Sequence, residues 1–105
     1  MNVVFEKEYL SELYEKGKAS NKKYRFQPDV IKRYKKCIDV LISASSVESL
    51  FTFNSLKYEV LSGDKNGISS IRVNNQYRIE FMVSDGNEEA TITICTILEL
   101  SNHYK

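Results

Sequence analysis

Two arginines six positions apart, Arg72 and Arg78, lie in segments where apolar and polar residues alternate. Ile71 and Val73 flank the first, and Tyr77, Ile79, Phe81 and Val83 run through the second, the period of strands buried on one face. Placing Ile71 and Val73 on the same face as Ile79 and Tyr77 pairs Ile71 with Ile79 and Val73 with Tyr77, across a loop of Asn74, Asn75 and Gln76. Arg72 then stands opposite Arg78 on the other face. Like charges directly opposed across strands destabilise a sheet, so something must offset them. A bridging anion would do so, and two forked guanidiniums suit phosphate oxygens. A neighbouring carboxylate such as Glu80 or Glu59 would do so equally well.

Other groups able to handle protons or anions cluster in two stretches. Glu59 has the chemistry of a general base, with Lys57, Tyr58 and Lys65 close to it in sequence. Lys57 is also what an ordinary solvated side chain looks like. The single histidine, His103, is third from the end. An unperturbed pKa near ~6.5 makes it the natural acid or base at neutral pH, although terminal residues are often mobile. Tyr104 could stack on an unpaired nucleotide or be a loose terminal ring. Cys37 and Cys95 fall inside apolar periodic segments without a C-x-x-C spacing, which reads as packed, reduced thiols. Neither a metal site nor a cofactor is expected.

These side chains need elements to position them. Asn2 to Phe5 reads as a short strand, followed by helical spacing of Phe5, Tyr9, Leu10, Leu13 and Tyr14, with Gly17 placed to end the helix in a left-handed conformation. Lys18 to Phe26 is a polar, basic connection. Pro28 suits the first turn of a second helix, whose stripe is Val30, Ile31, Tyr34, Cys37, Ile38, Leu41 and Ile42. Ser45 and Glu48 have capping-box spacing before Leu50 and Phe51. A last strand, Ala90 to Leu98, follows a turn at Ser84 to Asn87 and is rich in β-branched residues. The expected core is Tyr9, Leu13, Val30, Tyr34, Ile38, Leu41, Ile71, Ile79 and Phe81.

With 105 residues, one domain spanning 1–105 is expected. No run approaches the roughly 18 apolar residues of a membrane span, and the N-terminus lacks the apolar stretch of a secretory signal, so a cytoplasmic protein with no membrane role is expected. The net charge of +1 hides an asymmetry: nine of fifteen basic residues lie from Lys16 to Lys36, where Asp29 is the only acid. That segment is either a solvated helix face or a surface for a polyanion or acidic partner.

The stretch Leu61-Ser62-Gly63-Asp64-Lys65-Asn66-Gly67-Ile68-Ser69-Ser70-Ile71-Arg72-Val73-Asn74-Asn75-Gln76-Tyr77-Arg78-Ile79-Glu80-Phe81 resembles the signature of HigB-type toxins of the RelE/ParE superfamily. There a leucine, a Gly-Asp and a further glycine lead into Ser-Ile-x-Val, a turn, and aromatic-Arg-Ile-x-Phe. The N-terminal half matches in layout only. The resemblance implies an α+β fold, with an N-terminal short strand and two helices packed on a C-terminal antiparallel sheet. It implies the toxin of a type II toxin–antitoxin pair, a ribosome-dependent endonuclease that cuts messenger RNA by 2′-hydroxyl attack without a metal. Its partners would be the ribosome, the messenger and a cognate helix-turn-helix antitoxin like HigA.

The family's catalytic arginine lands on Arg78, as a stabiliser of the scissile phosphate. Arg72, Lys57, Lys65 and Tyr104 are candidates for nucleic-acid binding, and His103 and Glu59 for proton transfer. Where HigB-type enzymes often carry a histidine and a lysine before the Gly-Asp, this chain has Glu59 and Ser62. Where they commonly end a strand with Asp-Tyr-His, it has Leu98-Glu99-Leu100 and continues to Lys105. Those roles are not carried over. Two alternatives follow from these departures: a non-enzymatic ParE-like module that binds gyrase, and a degenerate member that retains antitoxin binding alone.

Overall fold

Alternation in the C-terminal half and helical periodicity in the N-terminal half resolve into two layers in a computed structural model, which describes residues 1–85 and 93–102. The elements are β1 (Asn2–Phe5), α1 (Glu8–Lys16), α2 (Pro28–Ser43), β2 (Glu59–Val60), β3 (Ser69–Arg72), β4 (Tyr77–Asp85) and β5 (Thr93–Asn102). They build one five-stranded sheet in the order β1-β5-β4-β3-β2. Strands β2 to β5 are antiparallel neighbours. The N-terminal strand is not separate from this sheet: β1 forms its edge, parallel to β5, with Val3 opposite Cys95 and Phe5 opposite Ile97. The α+β architecture is as expected, and the sheet is mixed rather than purely antiparallel.

Both helices bury one stripe against one sheet face. Pro28 opens α2, and Val30, Tyr34, Cys37, Ile38 and Leu41 point inward. Ile42 is 44% exposed, because at roughly 100° per residue it falls on the flank of that stripe. In α1, Tyr9, Leu10, Glu12 and Leu13 are buried, and Gly17 ends the helix at φ +76, a conformation that costs glycine little. The buried Glu12 is not orphaned. It accepts bonds from the Ser20 backbone N–H (3.1 Å) and hydroxyl (2.5 Å), which hold its carboxyl below the usual value. The Tyr34 hydroxyl donates to the Leu10 carbonyl at 2.7 Å and ties the helices together.

All of the expected core residues are buried, in a contiguous cluster joining helices and sheet. Cys37 and Cys95 are free and buried within it. Burial pushes their thiols up to about 11 and about 12, so at neutral pH they act as apolar filler. Among the described residues no helix is long and apolar enough to cross a membrane.

Three local expectations change. Ser45 and Glu48 form no capping box: Glu48–Thr52 is a 3₁₀ turn preceded by Val47 in the helical region, with no side-chain cap. A cap requires an extended residue at that position, and Ser45 lies two residues before it. Ser84 and Asp85 continue β4 rather than turning, and β5 runs past Leu98 to Asn102. The rest of the expected turn and the residues from Ala90 to Ile92 lie outside the described residues. A bulge explains the longer β5. Glu80 pairs with Glu99 and Phe81 with Ile97, which leaves Leu98 without a partner. The inward positions accordingly switch from Cys95 and Ile97 to Leu100.

Beyond Phe5 the edge of β5 is covered by Tyr9, whose hydroxyl accepts from Leu100 N–H (3.1 Å) and donates to Glu99 Oε1 (2.6 Å). Lys7 Nζ reaches Glu99 Oε2 at 2.7 Å. Partial burial pushes the Glu99 carboxyl up, but the bonds from Lys7 and Tyr9 outweigh it and hold the carboxyl below its ordinary value. A lowered carboxylate adds stability above the unfolded-state value and loses it as pH falls through the folded one. With side chains 44% and 37% exposed, the pair contributes no more than about 1 kcal/mol. Glu99→Gln should therefore be slightly less stable than the wild type at pH 7, with the gap closing below about pH 4.5. Urea melts from pH 7 to 3 check this, and a gap independent of pH would contradict it.

Candidate functional site

The sheet face away from the helices carries the chemistry, and register alone places most of it. Pairing sets Glu59 opposite Ser70, Ser70 opposite Glu80, and Glu80 opposite Glu99, in a row from β2 to β5. The next row is Arg72, Arg78 and Ser101. Ile71 is paired with Ile79 and Arg72 with Arg78, as the alternation predicts. The turn follows the expected loop, with Val73 N–H donating to Tyr77 O (2.9 Å) and the Asn74 side chain accepting from Gln76 and Tyr77 N–H (2.8 and 2.7 Å).

Around Arg78 the sheet forms a cleft of about 380 Å³, lined by Glu59, Leu61, Ser62, Lys65, Ser70, Arg78, Glu80, Ser101 and Asn102. Arg78 Nη1 donates to Glu59 Oε1 at 2.5 Å and to Ser70 Oγ at 3.1 Å. Lys65 Nζ meets Glu80 Oε2 at 2.7 Å. Glu80 is the more enclosed carboxylate, its side chain 12% exposed against 50% for Glu59. The cleft thus holds two cations and two carboxylates in direct pairs, with the fully buried Ser70 beneath. A guanidinium carries five N–H donors, more than its bonds to Glu59 and Ser70 use, so it retains the capacity to grip an anion while Glu59 remains beside it. The Gly63–Lys65 turn that presents Lys65 begins at Gly63, φ +69, where a side chain would be strained.

Of the residues singled out from sequence, the fold brings Arg78, Glu59 and Lys65 together. Arg72 shares their face but not their cleft: its guanidinium bonds to the Asn74 carbonyl (3.2 Å) and the Asn75 side chain. The like-charge conflict is therefore relieved by a carboxylate at Arg78 and by turn amides at Arg72. Lys57 lies apart, beside Phe51, Phe53 and Tyr58. His103 and Tyr104 lie outside the described residues, while Asn102, the residue before them, lines the cleft. Sequence reading missed Ser70 as a partner of Arg78 and valued Glu80 only as a neutralising charge. Both were available as the positions two before Arg72 and two after Arg78 on the same face.

The helix layer differs in charge. Among the described residues the three ion pairs are Lys7–Glu99, Lys65–Glu80 and Arg78–Glu59. None of the nine cations from Lys16 to Lys36 takes part, and Lys18, Lys22, Lys23, Arg25, Lys32, Arg33 and Lys36 are exposed. A depression of about 410 Å³ at the end of α2 has Asp39 as its one charged lining residue among the described residues and offers no comparable grouping.

Comparisons with known proteins agree with this layout. A family model described as the RelE-like toxin of type II toxin-antitoxin system HigB matches residues 3–93. Among solved structures, the chain is similar to the YoeB/ParE toxin from Agrobacterium tumefaciens, with TM-score 0.60, 17% identity, and 99% of this chain and 100% of that chain covered. It is also similar to the YoeB-YefM complex from Staphylococcus aureus, with TM-score 0.58, 18% identity and coverages of 99% and 98%. At these identities the structures support the fold alone. A comparison with curated proteins finds no match. With the family model spanning most of its length, the chain belongs to the HigB family of RelE-like toxins of type II toxin–antitoxin systems.

Proposed function

We propose that this toxin is a ribosome-dependent endonuclease that cuts messenger RNA through the Arg78 cleft. The observation that carries the reading is the Arg78 guanidinium, its side chain 19% exposed, set in a cleft beside the Glu59 carboxylate and the Lys65–Glu80 pair. In the reaction the ribose 2′-oxygen bonds to the adjacent phosphorus while the bond from phosphorus to the 5′-oxygen breaks. The products are a 2′,3′-cyclic phosphate and a 5′-hydroxyl. Glu59 takes the 2′-hydroxyl proton, His103 supplies the proton for the leaving oxygen, and Arg78 and Lys65 offset the charge that gathers on the phosphate. The exposed cations from Lys16 to Lys36 supply docking to ribosomal RNA that weakens with salt. A helix-turn-helix antitoxin of the HigA kind is the proposed partner, in keeping with the family's place in toxin–antitoxin systems.

Programmed ribosomes from the chain's own host, incubated with the purified protein and read by primer extension, test the reading. Discrete cuts are expected that diminish as salt is raised, and His103→Ala should reduce them by a further ~10² if it is the acid. Absence of cutting by the wild type moves the assignment to gyrase inhibition or to antitoxin binding alone. Unchanged cutting by His103→Ala removes only the acid.

A further inference from the structure

A second group of exposed side chains lies across β2 from the cleft. Phe51 and Phe53 are 57% and 47% exposed, although large rings are normally withdrawn from water unless they meet something. With Leu50, Asn54, Lys57 and Tyr58 they line a groove of about 470 Å³. Tyr58 makes its wall firm. Its hydroxyl bonds to Ser69 Oγ at 2.9 Å, and its ring lies 5.1 Å from Phe51 and 6.3 Å from the buried Phe81. Lys57 is exposed and holds φ +50, a left-handed conformation unusual outside glycine. Lys57 forms no ion pair among the described residues. The groove therefore combines exposed aromatic rings, one cation and, in Asn54, an amide with both donor and acceptor.

We propose that this groove is a nucleotide subsite: an unpaired RNA base stacks against Phe51 or Phe53 while its phosphate meets Lys57. The inference rests on the reading of the neighbouring cleft as the place where the RNA backbone is held. Charge favours a polyanion, since no acidic side chain among the described residues lines the groove. Aromatic rings beside a cation are the arrangement that binds single strands without strict sequence preference. Continuity favours RNA as well. Lys57 and Glu59 are two residues apart, at most about 7 Å between Cα atoms, so a strand whose phosphate lies at Arg78 reaches the groove with its next nucleotide over the short edge strand β2.

The test uses the full chain and a short oligoribonucleotide carrying 2-aminopurine, with 2′-O-methyl substitution at each ribose to prevent cleavage. Stacking should quench the fluorophore, and Phe51→Leu/Phe53→Leu, which keeps apolar bulk but removes both rings, should weaken binding about 10-fold or more and abolish the quench. Lys57→Gln should weaken binding and flatten its salt dependence. Phe53→Trp should retain the quench. Equal binding and quenching by wild type and the double leucine variant would overturn the subsite. So would a double variant that binds RNA normally but no longer captures its antitoxin, which would assign the groove to a protein partner. Ring-dependent oligonucleotide binding by a wild type that does not cut messenger would leave the subsite standing while the nuclease reading fell.

Discussion

Arg78→Ala should yield a folded protein that still binds its antitoxin but cuts messenger RNA about 10² to 10³ times more slowly, the usual loss when one preorganised donor to a developing anion is removed. The fold should survive because Arg78 lies on the open face, and its ion partner Glu59 has a half-exposed side chain that water can solvate once the guanidinium is gone. Arg78→Lys should restore only part of the rate: an ammonium keeps the charge but lacks the planar fork that grips two phosphate oxygens. Glu59→Gln separates two roles for the carboxylate. If Glu59 accepts the 2′-hydroxyl proton, the amide variant should be as impaired as Arg78→Ala. If Glu59 only matches the Arg78 charge, freeing the guanidinium should leave cutting intact or increase it. Primer extension on programmed ribosomes reads all of these, and undiminished cutting by Arg78→Ala would end the assignment of the cleft.

The same cleft shows where sequence reading succeeds and where it stops. Alternation around Ile71 and Ile79 sufficed to place Arg72 opposite Arg78, because a one-residue slip would have turned every buried residue of the hairpin outward. It did not tell where the guanidiniums go. Arg72 bends onto Asn74 and Asn75, while Arg78 turns toward β2, a two-residue strand too short to show any period. Glu59 could therefore be named as a carboxylate in range but not located. The bulge at Leu98 is hidden for a related reason. Ile97 and Leu100 both face inward, a spacing of three that breaks the strand pattern, so the strand reads as ending where it only shifts phase. The parallel pairing of β1 with β5 depends on contacts across almost the whole chain, which no local pattern reports. In the helices, by contrast, stripe, proline and terminal glycine agree, and their assignment follows from local chemistry alone.

Phe81→Ala should be the most damaging single truncation, at about 3 to 5 kcal/mol, and Ile38→Ala should follow at about 2 to 5. Both side chains are fully buried. Phe81 sits beside the bulge, between Ser69 on β3 and Ile97 on β5, and its ring approaches that of Tyr58. Removing it opens a void under two strands and the β2 connection together. Against the 5 to 15 kcal/mol typical of a domain this size, such a loss should lower the melting temperature by roughly 10 °C or more. The informative control is the next residue. Met82 is 48% exposed on the opposite face, so Met82→Ala should change stability by no more than about 0.5 kcal/mol. The contrast bears on function, because one alternation sends Ile79 and Phe81 into the core and turns Arg78, Glu80 and Met82 outward. Equal losses at Phe81 and Met82 in calorimetry would mean that β4 is placed with the wrong phase, and Arg78 and Glu80 would then lose their positions in the cleft together.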